Sequence, residues 1–261
     1  MSLYGRTVLI TGASRGIGRA IASACWRRGA NLALLARSED APSHPSLDSS
    51  LREVKEDLLN NTMGWNRPDP LLLKVDLSSS SREDLSLLVG RVKAELGSLD
   101  AVVLNASAVS VDMHPGRKEY DLMMNLNVRS SYDLLSLSLP LFPKGGGSVL
   151  SISPPLRTLS LDWIDPHPVY TSSKYSMSMV SLSFFSSPLV SSCHTLWPSK
   201  LIRTSATRML EEKTGVKGYS DGLSPSSFSE AASILLSTKG RGQYLDSQFW
   251  EERGGSSPDK G

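Results

Sequence analysis

Short apolar runs alternate with longer amphipathic segments along almost the whole 261-residue chain. Thr7-Val8-Leu9-Ile10 is the first run, and Ile17, Ala20, Ile21, Ala24 and Cys25 then recur at helical spacing until Gly29 closes the helix. Asn31 to Ala36 is nearly continuous in apolar residues, as in a parallel strand covered on both faces. After a loop rich in Pro, Ser and charge (Ser38 to Ser46), Leu47, Leu51, Val54 and Leu58 mark a second helix, and Leu71 to Val75 a third strand. Leu85, Leu88, Val89, Val92 and Leu96 share one face of a third helix, which precedes a strand from Leu99 to Leu104. Glu119 to Phe142 reads as a long buried or interface helix containing Asn125 and Asn127, two asparagines that need partners if buried. A fifth strand (Gly147 to Ser153), a helix (Tyr170 to Phe185) and a sixth strand (Ser192 to Trp197, ended by Pro198) follow. Pro198 to Ser224 has no sustained pattern and is expected to form a flap against substrate. A helix (Phe228 to Leu236) and a strand (Tyr244 to Ser247) complete the pattern.

This alternation predicts an α/β fold, a doubly wound parallel sheet of about seven strands with helices on both faces. Residues 1–253 are expected to form one domain for dinucleotide binding and catalysis, and 254–261 a loose tail. Charge adds little direction: 28 Lys plus Arg against 26 Asp plus Glu provides no electrostatic reason to expect nucleic acid or an anionic membrane as partner. A small molecule is the better expectation. Cys25 and Cys193 suit packing in a reducing compartment. The first predicted strand begins by Arg6, which leaves no room for a leader, and no apolar run could span a bilayer, so the expectation is a soluble, intracellular protein, cytoplasmic by default.

The chemistry is concentrated at Thr11-Gly12-Ala13-Ser14-Arg15-Gly16-Ile17-Gly18, a glycine turn between the first strand and the first helix. Glycines at 12, 16 and 18 let a pyrophosphate approach the N–H groups at the helix N-terminus. Gly12, Ser14, Arg15, Gly16, Ile17 and Gly18 are therefore candidate cofactor-binding residues. NAD-specific sites place an acid at the end of the second strand, but that position is Ala36, followed by Arg37. Arg37 and Arg15 could bracket a 2′-phosphate, which makes NADP(H) the expected cofactor. Asp76 stands at the carboxyl end of the third strand, where ligands of open α/β sheets collect.

Tyr170 and Lys174 lie four apart in a predicted helix, on one face. An ammonium near the phenol would lower its pKa from about 10 and suit it to general acid/base work. The pair, in a chain opened by Thr-Gly-x-x-x-Gly-x-Gly, resembles the short-chain dehydrogenase/reductase family, which implies a Rossmann-type fold and carbonyl/alcohol chemistry. By that resemblance Tyr170 is the proton donor/acceptor and Lys174 holds the nicotinamide ribose. Asn127 supports a water-linked proton relay, Asp76 contacts adenine, and Asn105 matches the asparagine after the fourth strand. The usual Asn-Asn-Ala-Gly there is Leu104-Asn105-Ala106-Ser107. The family's Ile-Ser-Ser at the end of the fifth strand is Ile152-Ser153-Pro154-Pro155, so the second serine is absent; Ser153 is expected to take over its role, the alternative being that the carbonyl-polarising donor is missing and Tyr170 acts nearly alone.

Asn105-Ala-Ser-Ala, Asp121-Leu-Met-Met-Asn, Ile152-Ser-Pro-Pro-Leu and Leu196-Trp-Pro are similar to the family's hydroxysteroid dehydrogenase-like group. Members of that group often carry a sterol-carrier domain and a peroxisomal address, neither of which is expected here; the resemblance alone leaves peroxisome or mitochondrion as alternatives to the cytoplasm. The resemblance also implies a homodimer or homotetramer and a small carbonyl or alcohol substrate, lipid-like compounds included. No metal-ligand spacing is present. The expected function is an NADP(H)-dependent oxidoreductase; the alternative is a dinucleotide-binding sensor or scaffold with little turnover.

Overall fold

The computed structural model describes residues 2–42, 49–61, 64, 66–110, 114–159, 167–215, 217 and 220–254. Residues 43–48, which include Leu47 of the predicted second helix, and 255–261 of the predicted tail lie outside the described residues. The elements run β1 (Thr7–Thr11), α1 (Gly16–Arg27), β2 (Asn31–Ala36), α2 (Leu51–Asn60), β3 (Leu71–Lys74), α3 (Arg82–Leu96) and β4 (Ala101–Leu104). A long helix follows in two parts, α4 (Arg117–Met123) and α5 (Ser130–Ser138), and then come β5 (Gly147–Ile152), α6 (Pro168–Ser183) and β6 (Val190–Trp197). The chain continues with α7 (Ser205–Thr214), α8 (Pro225–Leu235), β7 (Gly240–Leu245) and α9 (Asp246–Glu251).

All strand pairs are parallel, in the order β3-β2-β1-β4-β5-β6-β7. The winding direction reverses between β1 and β4, and at such a switch point the connections leaving the carboxyl ends of the two strands diverge and leave a crevice for ligand. Neighbouring residues of each strand enter opposite cores because side chains alternate across a sheet. Val8, Ile10, Leu32 and Leu34 pack with Ile21 and Cys25 of α1 and Phe228 and Ala232 of α8. Leu9, Leu35, Val102 and Leu104 pack on the other side with Val89 of α3, Leu134 of α5 and Met177 of α6. Burying such a side chain contributes roughly 1.5–3 kcal/mol. Both cysteines are buried free thiols, and burial pushes each up to about 12. No helix among the described residues is long and apolar enough to cross a membrane.

Three parts of the sequence reading need correction. The segment read as patternless contains α7, set by its ends: the Thr204 side chain accepts from the Thr207 N–H at 3.2 Å, and Gly215 stops the helix at φ 71°. The last strand is Gly240–Leu245, and the chain turns helical at Asp246 because that carboxylate accepts from the backbone N–H groups of Ser199 and Ser247, both at 2.8 Å. Of the two asparagines in the long helix, Asn127 is fully buried and Asn125 only half-buried. Between α4 and α5 the helix widens to π geometry over Met124–Arg129, with the Ser130 N–H donating to Asn125 five residues back.

Candidate active site

The glycine turn lies at the switch point. Gly12 and Gly16 hold φ of 65° and 55°, where a Cβ would clash with its own backbone. A Cβ on Gly18 would lie 2.2 Å from the Gly12 carbonyl oxygen, so this glycine lets α1 close against the end of β1. No side chain caps α1 at Arg15, and its first turn holds no acid. Its leading N–H groups and positive dipole end are thus left for an anion. Beside the turn is a cavity of ≈ 310 Å³, lined by Gly12, Ser14, Arg15, Gly16 and Ile17 but not by Gly18. Ala36, Arg37 and Asp76 form its far end and the segment from Asn105 to Ala108 its floor. Thr204 to Ala206, at the start of α7, also line it, so the predicted flap reaches this cavity.

Asn105 serves as a brace. Its Nδ2 donates to the carbonyls of Thr11 (2.9 Å) and Gly12 (3.3 Å), while the N–H groups of Asn105 and Ala106 donate to Thr11 Oγ1 at 2.9 and 3.0 Å. The ends of β1 and β4 are locked together by these bonds. Asp76 Oδ1 accepts from the N–H and hydroxyl of Ser78 at 2.9 and 2.6 Å, and Oδ2 lies 3.9 Å from the guanidinium of Arg37. Both groups stand partly exposed at the end of the cavity.

Beyond the floor of the cavity, one chain of hydrogen bonds links the Tyr170 turn of α6 to the connection after β4. Asn127 Oδ1 accepts from the Ala108 N–H at 3.1 Å, and Asn127 Nδ2 donates to Ser173 Oγ at 2.8 Å. The Ser173 hydroxyl in turn donates to the Tyr170 carbonyl at 2.7 Å. Burial pushes the Tyr170 phenol up to about 12, against the nearby Ser107 side chain, which lowers it. Lys174 is almost wholly buried, and desolvation pushes it down to about 7. Its Nζ lies 3.3 Å from Met177 Sδ and 5.5 Å from the centre of the Trp197 ring. The amine thus lies between a thioether and an aromatic face, and burial is the leading influence on both Lys174 and Tyr170.

The model of the short chain dehydrogenase family matches residues 6–186. The chain belongs to that family. Hydroxysteroid dehydrogenase-like protein 2 of Bos taurus is 35% identical to this short-chain dehydrogenase over 214 residues, 80% of this chain and 48% of the relative. The Homo sapiens protein of the same name matches over the same shares, again at 35% identity. The chain thus spans about half the length of the curated relatives it matches. A crystal structure of a short chain dehydrogenase from Mycobacterium thermoresistibile superimposes with a TM-score of 0.82 at 27% identity, covering 97% of this chain and 89% of that one.

Within this short-chain dehydrogenase Ser153 departs from the sequence expectation. It is fully buried, its Oγ 2.7 Å from Ser151 Oγ and 2.8 Å from Ser178 Oγ, and Ser178 also donates to the Pro154 carbonyl at 2.7 Å. The hydroxyl belongs to a serine cluster between β5 and α6; like Tyr170, Lys174 and Asn127 it does not line the cavity, but unlike Tyr170 it has no contact with Ser107 of the cavity floor. The reason lies in the chain direction after β5. Pro154 and Pro155 have no N–H and a fixed φ, and the Leu156 N–H donates to Gln243 of β7 at 2.7 Å, which leads the chain away from the switch point. The residue that sequence reasoning missed is Ser107, exposed on the cavity floor and close enough to the Tyr170 phenol to lower its pKa. Its signal was present as the serine that replaces the last glycine of Asn-Ala-Gly.

Proposed function

We propose that this short-chain dehydrogenase is an NADP(H)-dependent oxidoreductase that interconverts a small carbonyl compound and a secondary alcohol, with Tyr170 exchanging the proton. The observation that carries the reading is the switch-point cavity itself, with an uncapped helix N-terminus at one end and Arg37, without a carboxylate at Ala36, at the other. That arrangement fits a dinucleotide carrying a 2′-phosphate: the α1 terminus would hold the pyrophosphate, Arg37 and Arg15 the phosphate on the ribose, and Asp76 the adenine edge. When bound, the nicotinamide would supply or accept the hydride.

The remaining work falls to side chains of this chain. In the reducing direction the Tyr170 hydroxyl donates its proton to the carbonyl oxygen as that oxygen gains negative charge; in the oxidising direction the phenolate removes the proton from the alcohol. Lys174, now beside a thioether, would find in a ribose hydroxyl the oxygen acceptor that a buried amine lacks here. Asn127 holds the Tyr170 turn and the cavity floor in register. Membership in a family of dehydrogenases weighs against the scaffold alternative.

The test is NADPH and NADH consumption with a panel of aldehydes, ketones and fatty-acyl carbonyls. Turnover with NADPH, and a loss on the order of 10²- to 10⁴-fold in kcat for Tyr170→Phe, are expected. Unimpaired turnover by Tyr170→Phe would refute the assignment of the proton.

A further inference from the structure

Carbonyl reduction develops negative charge on one oxygen, and a second donor beside the phenol stabilises it where water is excluded. The end of β5 cannot supply that donor: position 154 is a proline, and the Ser153 hydroxyl is engaged by Ser151 and Ser178 in the core. Ser107 answers the same need from the connection after β4. It is exposed on the cavity floor, and its side chain lies close enough to the Tyr170 phenol to lower its pKa. Its second contact, to the Ala108 carbonyl, is long at 3.4 Å and leaves the hydroxyl free to turn toward an incoming oxygen. The position is held from behind. Asn127 grips the Ala108 N–H at 3.1 Å, and through Ser173 the same side chain is tied to the Tyr170 carbonyl, so residues 107 and 170 are fixed relative to each other.

We propose that Ser107 is the second hydroxyl of this active site, donating a hydrogen bond to the substrate oxygen that Tyr170 protonates. Ser107 keeps its own proton throughout; the transferred proton is that of Tyr170. The inference rests on the assignment of Tyr170 as the acid/base. A serine after β4 thus replaces one at the end of β5, and substrate is gripped between the cavity floor and α6.

The test compares the wild type with Ser107→Ala, Ser107→Thr, Ser153→Ala and Tyr170→Phe. The assay uses NADPH and whichever carbonyl of an aldehyde and ketone panel the wild type reduces fastest, and NADPH affinity is read separately by fluorescence titration. Ser107→Ala should lose on the order of 10²-fold in kcat with NADPH affinity unchanged, and Ser107→Thr, which keeps the hydroxyl, should recover most of the rate. Because Ser107 lowers the phenol pKa before substrate binds and reduction needs the protonated phenol, the alkaline limb of kcat/KM, which reports the free enzyme, should move to higher pH in Ser107→Ala. Wild-type kcat in Ser107→Ala, or an equal loss in Ser153→Ala without loss of folding by circular dichroism, overturns the proposal. An inactive Tyr170→Phe beside a fully active Ser107→Ala overturns this proposal alone. No reduction by the wild type, or full activity in Tyr170→Phe, removes the assignment on which it rests.

Discussion

Asn127 engages both backbone polar groups of Ala108: its Oδ1 accepts from the N–H at 3.1 Å, and its Nδ2 lies 3.4 Å from the carbonyl. One buried side chain thereby joins the π-helical turn of the long helix to the connection that carries Ser107.

Asn127→Leu keeps approximate size and removes every one of these bonds. The Ala108 N–H loses its acceptor, at a cost of about 1–3 kcal/mol for a group left unsatisfied, while the Ser173 hydroxyl keeps its bond to the Tyr170 carbonyl. Lower thermal stability and faster hydrogen exchange at the Ala108 amide are expected, together with a fall in kcat exceeding any change in NADPH affinity. An unchanged exchange rate at Ala108 would show that the clamp does not hold the loop.

Cofactor choice is expected to depend on the end of β2. Ala36→Asp combined with Arg37→Ala introduces the carboxylate that binds a ribose 2′-OH and removes the guanidinium that binds a 2′-phosphate. A charge-assisted hydrogen bond is worth about 1.5–3 kcal/mol, so the NADPH/NADH ratio of kcat/KM should fall by roughly 10- to 10²-fold. Steady-state kinetics with both cofactors decides it; an unmoved ratio sinks the assignment.

Lys174 makes stability depend on pH. Its folded pKa is pushed down to about 7 by burial, below the unfolded value of about 10.4, so the unfolded chain binds more protons in that window. Stability should rise as pH increases from about 7 toward 10. Tyr170 acts oppositely: its folded pKa is raised to about 12, so its contribution is complete below about pH 10 and is lost as pH rises toward 12. Lys174→Met should flatten the rise and melt higher at pH 7. Thermal unfolding at a series of pH values with identical slopes in both proteins would contradict the buried, neutralised amine.

Gly18→Ala sets a methyl 2.2 Å from the Gly12 carbonyl and 2.6 Å from Asn105 Nδ2. Neither neighbour can yield without opening the brace between β1 and β4, so a destabilisation of roughly 1–3 kcal/mol is expected. NADPH affinity should fall with it, although Gly18 does not line the cavity. Denaturant unfolding and NADPH titration of the variant measure both; wild-type stability would show that the turn is looser than its packing indicates.

Much of this protein was readable locally. Short continuous apolar runs and stripes at period 3.6 determined the order of strands and helices, because a central parallel strand is covered on both faces and a surface helix on one. The glycine turn was legible because positive φ and close approach exclude other residues. Tyr170 and Lys174 were placed on one face by helix geometry alone. The helix α7 could also have been read from its caps, Thr204 and Gly215, in place of the missing apolar stripe.

What a side chain meets across the fold was decided elsewhere. Whether Ser153 faces the cavity or the core depends on Ser178, 25 positions later, and on Gln243 of β7, which draws the chain aside after the two prolines. Ser107 gained its partner only when α6 was laid beside the connection after β4, through Asn127 and Ser173. The pKa of Lys174 followed neither from its own charge nor from its spacing to Tyr170, but from water excluded by residues distant in sequence. Periodicity and backbone restriction act within a few residues and are written in sequence order, whereas burial and hydrogen-bond partnership arise between segments that only the tertiary packing brings into contact.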